Sequence, residues 1–126
     1  MPRSSEINSI HIPVVAELRR WIKPEWRFFH CPNGELRSPH VAAKLKAMGV
    51  LPGMPDLVLM APGLGITNDY FLEFKLPGKT LSDVQEDFRM WAVRRGSPYV
   101  VAYSQSDAFR AFTEWDCWLV RADWFT

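Results

Sequence analysis

The segment Leu51-Pro52-Gly53-Met54-Pro55 constrains this chain more than any other. Its two prolines lack the backbone donors that a helix interior or an inner strand needs, so it is a forced connection. It joins elements of different period. On its N-terminal side, Ser38-Pro39 sets up a helix start with proline at the first helical position, and HVAAKLKAM runs to a capping Gly49. On its C-terminal side, Asp56 leads into the apolar run Leu57-Val58-Leu59-Met60, which reads as a buried strand.

Similar punctuation divides the rest. Ser4 or Ser5 caps a first helix in which Ile7, Ile10, Val14, Leu18 and Trp21 recur at spacings of three and four. Pro13 either kinks that helix or marks where the helix proper begins, and Lys23-Pro24 ends it. Trp26 to His30 is a short strand stopped by Pro32-Asn33-Gly34. A strand from Tyr70 to Leu76 is turned back by Pro77-Gly78. A helix over 82–95 follows, with Val84, Phe88, Trp91 and Ala92 as its apolar positions. Then come a strand PYVVAY, a helix from Ser106 or Asp107 to about Trp115, and a last short strand around Cys117 to Val120. The order α-β-α-β-β-α-β-α-β predicts an α/β fold, a small mixed central β-sheet flanked by helices.

A length of 126 residues with 48% hydrophobic and 13% aromatic residues suits one domain over 1–126 with a real core. No apolar stretch approaches the roughly 18–20 residues of a membrane span, and the start MPRSSEINSI lacks the apolar centre of a signal peptide. The expectation is a cytoplasmic protein without a membrane partner. Cys31 and Cys117 form no CxxC pair and are expected as free thiols.

The stretch FLEFKL, residues 71–76, carries the first chemical signal. In a strand Phe71, Glu73 and Lys75 share one face while Leu72, Phe74 and Leu76 share the other. An isolated ExK of this kind is most often the wet face of a half-buried strand. Asp56, seventeen residues earlier at the mouth of the preceding strand, changes the reading. If the two strands pair, both carboxylates converge with the ammonium beside them. Two carboxylates, with the Phe74 backbone carbonyl as a third oxygen, suit a hard cation such as Mg²⁺. A lysine beside them can orient or deprotonate an attacking water at a phosphodiester.

These residues also carry a resemblance. Met54-Pro55-Asp56 followed by Glu73-Phe74-Lys75 resembles the PD-(D/E)xK nuclease signature. The longer string CPNGELRSPHVAAKLKAMGVLPGMPDLVLM, then FLEFKLPGKTLSDVQEDF, is similar to the VRR-NUC family of that superfamily over roughly residues 5–105. The resemblance implies a restriction-endonuclease-like core, Asp56 and Glu73 as ligands of Mg²⁺ or Mn²⁺, and Lys75 as the group acting on water. It implies Gln85 as a supporting residue, although Ser82-Asp83-Val84-Gln85 is also a capping box. It implies a further glutamate from the first helix. Glu6 and Glu17, eleven residues apart, cannot be separated by helix phase, and Glu6 is preferred because the SE opening resembles the family's start. Stand-alone viral and bacterial members are small homodimers acting on branched DNA, four-way (Holliday) junctions included.

The net charge of +1 does not advertise a nucleic-acid protein, but residues 19–46 hold seven basic side chains against two acidic ones. Within that segment Asn33, Gly34, Arg37, Ser38, Lys44 and Lys46 suit phosphate contacts. His30, Cys31 and His40 match no zinc spacing, and His11 reads as a surface or site-edge histidine. Of the six tryptophans, Trp21, Trp91 and Trp115 fall on apolar helix positions and are expected in the core, while Trp26, Trp118 and Trp124 are by default partly buried, with base stacking or an interface as alternatives. The expected protein is a metal-dependent endodeoxyribonuclease. The rival reading is a nucleic-acid-binding module on a nuclease fold without significant activity.

Overall fold

The computed structural model describes residues 5–32, 38–63 and 68–125. A π-helical turn, Ile7–His11, leads into helix α1 (Ile12–Trp21), and strand β1 (Arg27–His30) follows. Then come α2 (Pro39–Ala47), β2 (Leu57–Met60), β3 (Asp69–Phe74), α3 (Asp83–Arg94), β4 (Tyr99–Ala102) and α4 (Gln105–Glu114), with a 3-10 turn at Ala122–Phe125. The sheet order is β1-β2-β3-β4. The first two pairings are antiparallel and β3–β4 is parallel, which makes the sheet mixed. The parallel pair needs a crossover, and α3 supplies it.

Two apolar layers cover the sheet. On one side Leu57, Leu59, Leu72, Phe74 and Ala102 pack with Val14 and Leu18 of α1 and with Ala108, Ala111 and Phe112 of α4. On the other, Val58 and Phe71 pack with Phe88 and Ala92 of α3. The alternation along β3 thus sends Leu72 and Phe74 to one layer and Phe71 to the other. Complete burial of side chains such as Phe74 and Leu72 stabilises the fold by roughly 1.5–3 kcal/mol each.

Capping positions the helices. Ser38, Ser82 and Ser104 each accept a backbone N–H of the first turn, at Val41, Gln85 and Asp107 respectively. Pro13 stands in the first turn of α1, just after the π-helical register, where its missing donor is tolerated.

Two expectations need correction. Residues 117–120 form no strand. Trp118 makes an isolated bridge with Ile22, flanked by Leu119 N–H to Trp21 O at 2.7 Å and Lys23 N–H to Cys117 O at 3.0 Å. Ile22 is a lone extended residue between the end of α1 and the Pro24 turn, too short a segment to extend pairing. Val84 and Trp91 do not face the core. They are 53% and 49% exposed, because α3 buries Gln85, Phe88 and Ala92 instead. Trp91 lies under the Arg95 guanidinium, 4.8 Å from the ring centre. Trp26 and Trp118 are core residues, unavailable for base stacking, whereas Trp124 is exposed beside Trp21.

Among the described residues no helix is long and apolar enough to cross a membrane. Cys31 and Cys117 are free thiols.

Candidate active site

The β2–β3 register decides what meets what. Leu57 stands opposite Leu72, so one step further along the ladder Asp56 faces Glu73. The backbone N–H of Asp56 donates to Glu73 Oε1 at 3.1 Å, and the N–H of Phe74 donates to Asp56 Oδ2 at 2.9 Å. Each carboxylate is therefore held by the backbone of the strand opposite. Both side chains are buried, at 2% and 1% exposure. The charged face of FLEFKL is not wet.

Two further groups converge on Glu73. Gln85, from the first turn of α3, donates its side-chain amide to Glu73 Oε2 at 3.2 Å while its Oε1 accepts the Ser82 N–H at 2.9 Å. Lys75 places Nζ 3.7 Å from Glu73 Oε2. Lys75 lies just past the end of β3, and its N–H to Ala102 O bond at 3.0 Å continues the ladder with β4.

Glu6 is also buried, at the entrance to the π-helical turn, and its charge reaches Glu73. Glu17 is elsewhere, accepting the Trp21 indole N–H at 3.1 Å. Burial and the Asp56 charge push the Glu73 carboxyl up to about 9. Lys75 and the Asp56 N–H pull it down, and Glu6 adds to the upward push. Buried carboxylates this crowded need a proton or a cation, and these residues fit a hard divalent ion.

A cavity of about 690 Å³ lies against the cluster, with Lys75 and Gln85 in its wall together with Lys46, Ala42, Leu51 and Gly53. The break at residues 51–55 is thus part of the site wall. Gly53 has φ +81°, and a Cβ there would stand 2.4 Å from the Val84 carbonyl oxygen. Ser38 caps α2, and Lys44 and Lys46 are exposed in its last turn, with Lys46 at the cavity. Asn33, Gly34 and Arg37 lie outside the described residues.

Three more neighbours of the cluster come from other elements, and of these sequence reasoning named only His11, as a site-edge alternative to a surface histidine. His11 packs its ring on Phe74 and His30, with centroids 4.6 and 4.7 Å away. His30 donates from Nδ1 to the Asp56 carbonyl at 2.8 Å. Tyr99, on β4, has a buried hydroxyl that is without a hydrogen-bond partner among the described residues. Burial first and Glu73 second hold that phenol well above its ordinary range. No spacing pattern announces any of these, since they come from separate elements.

A scan of protein-family models and a search of curated proteins return no match. A solved structure titled "VRR_NUC domain protein" has the same fold. It superposes with a TM-score of 0.59 at 22% identity, covering 82% of this chain and 84% of that one. The chain therefore has the fold of a VRR_NUC domain, an α/β architecture with a mixed four-stranded sheet flanked by helices.

Proposed function

We propose that this protein is a divalent-metal-dependent endonuclease that hydrolyses DNA phosphodiester bonds. The observation that carries the reading is the convergence of Asp56, Glu73, Gln85 and Lys75 at one end of the β2–β3 pair, beside a cavity walled by Lys46 and Lys75. The fold shared with a VRR_NUC domain protein supports it.

In this reading Asp56, Glu73 and Glu6, with the Phe74 carbonyl, would hold Mg²⁺ or Mn²⁺. The ion would supply Lewis-acid stabilisation of charge on the phosphoryl oxygens. Lys75 holds the attacking water in line with the scissile bond. Water oxygen bonds to phosphorus and gives up one proton, the bond to the bridging sugar oxygen breaks, and a proton goes to that oxygen as it leaves. Gln85 fixes the Glu73 carboxylate by donating to Oε2, so that Glu73 and Lys75 keep their relation. Lys46, with Lys44, Ser38, Asn33 and Arg37, contacts the DNA backbone.

The finer part of the proposal is that the substrate is branched DNA, four-way junctions included, and that two copies act as a homodimer. Two copies would set a pair of such sites across the arms of a branched substrate. The test is a cleavage assay on duplex, flap, splayed-arm and four-way substrates with Mg²⁺ and with Mn²⁺, using Lys75→Ala as control, alongside light scattering for the dimer. Failure to cut any of these at low salt would overturn the catalytic reading and leave a DNA-binding module.

A further inference from the structure

Two histidines without a role in the reading above stand together with Asp56 of the carboxylate pair. His11 comes from the π-helical turn, His30 ends β1, and Asp56 precedes β2. One ligand atom from each lies within 4.8 Å of the other two. The three are half-buried, exposed and buried in that order, so the cluster runs from the interior to solvent.

We propose that His11, His30 and Asp56 form a second cation position, which takes a transition-metal ion of the Zn²⁺ and Co²⁺ class. It shares Asp56 with the carboxylate site but does not depend on the nuclease reading.

The ligand chemistry sets the class. Glu73, Glu6 and the Phe74 carbonyl offer only oxygen, which suits Mg²⁺. Two imidazoles with one carboxylate suit borderline ions, which Mg²⁺ does not match for nitrogen ligands. Two histidines and a carboxylate also leave coordination positions for water, as in open zinc sites.

The surroundings favour ligation. His30 donates Nδ1–H to the Asp56 carbonyl at 2.8 Å, which orients the ring and, in the neutral form, leaves the lone pair on its other nitrogen. His11 is held edge-on to His30 and against Phe74. Asp56 keeps Oδ2 on the Phe74 N–H, so its carboxylate is already fixed. Ligands about 2.0–2.1 Å from a tetrahedral ion lie roughly 3.3 Å apart, so the cluster must close by up to about 1.5 Å. The exposed His30 ring can make such a shift.

The test uses tag-free protein titrated with Co²⁺, followed by visible absorption and calorimetry. Wild type is expected to bind Co²⁺ and to retain it against millimolar Mg²⁺. His11→Ala and His30→Ala should each weaken binding by at least about tenfold, and each by more than Glu73→Gln does. If His11→Ala does not fold, judged by circular dichroism, His11→Gln takes its place. No Co²⁺ binding in wild type, wild-type affinity in both histidine variants, or loss in Glu73→Gln alone would each overturn the proposal. Absence of cleavage with Mg²⁺ would instead count against the nuclease reading and leave this result standing.

Discussion

Gln85 donates its side-chain amide to Glu73 Oε2 across 3.2 Å while its carbonyl oxygen accepts the N–H of Ser82 at 2.9 Å. The same side chain completes the capping box of α3 and holds a buried carboxylate of the site. Structure and proposed chemistry are not alternatives at this position. The cap sets where α3 begins, and the start of α3 sets where the amide points.

That dual role can be divided by mutation. Ser82→Ala removes the cap and leaves the Glu73 contact, so it should cost about 1 kcal/mol of stability and lower cleavage little. Gln85→Ala keeps the Ser82 Oγ cap on the backbone N–H of residue 85 but removes the reciprocal half of the box and the side-chain donor to Glu73 Oε2, which should cost about 1–3 kcal/mol and reduce kcat as well. Urea unfolding beside single-turnover cleavage separates the two. Equal kinetic loss in both variants would assign Gln85 to the cap alone.

Lys75→Ala should lower cleavage by about 10²–10⁴-fold and leave binding of uncleaved DNA within a few-fold. Asp56→Asn and Glu73→Gln should also abolish cleavage. Gel shifts in Ca²⁺ read the binding, and labelled four-way junctions read the cleavage. A parallel collapse of binding and folding in all three variants would make the cluster structural.

The raised Glu73 carboxyl predicts the pH dependence of the metal-free protein. Folding lifts the group from its ordinary 4.5 to about 9. Between those values the unfolded chain has released the proton and the folded chain keeps it, so stability falls as pH rises through this window. Thermal melts in chelator from pH 5 to 9 should show a declining Tm, with a shallower decline in Glu73→Gln. Mg²⁺ should raise Tm more at pH 8 than at pH 5, because at low pH it competes with the proton.

Gly53→Ala should destabilise the fold and disturb the site from outside it. The φ of +81° strains an L residue by about 1–2 kcal/mol. The added Cβ would also meet the Val84 carbonyl oxygen at 2.4 Å, a backbone atom beside Gln85. Gly63→Ala, with nothing near its Cβ, is the control for strain alone. A Tm loss at Gly53 no larger than at Gly63 would show that the close approach to α3 is without consequence.

Most elements were legible because their causes are local. Serine before a periodic apolar segment starts α2 and α3, the LPGMP break ends one element and opens another, and period two along FLEFKL separates Phe71 from Leu72. The pairing of Asp56 with Glu73 was legible too, since two strands joined by a loop favour antiparallel register. The expected last strand failed because pairing needs a partner edge, and only Ile22 is available to Trp118. The inward placing of Trp91 and Val84 failed because periodicity names a stripe without saying which flank of it the neighbours cover.

The first helix shows the division most clearly. By α-helical phase, residues five apart point about 140° away from each other, so Glu6 and His11 would not share a site. The Ile7–His11 turn is π-helical, closed by Ile12 N–H to Ile7 O, and its five-residue step brings such residues toward one face. Glu6 thereby reaches the field of Glu73, and His11 reaches Phe74 and His30. Sequence determined the elements, the carboxylate pair and its lysine, because these depend on neighbours along the chain. Only the tertiary structure brings Glu6, preferred on the resemblance, into the field of Glu73 and sets two histidines beside Asp56. The reason is the five-residue step of the Ile7–His11 turn, which departs from the α-helical phase that a sequence pattern is read against.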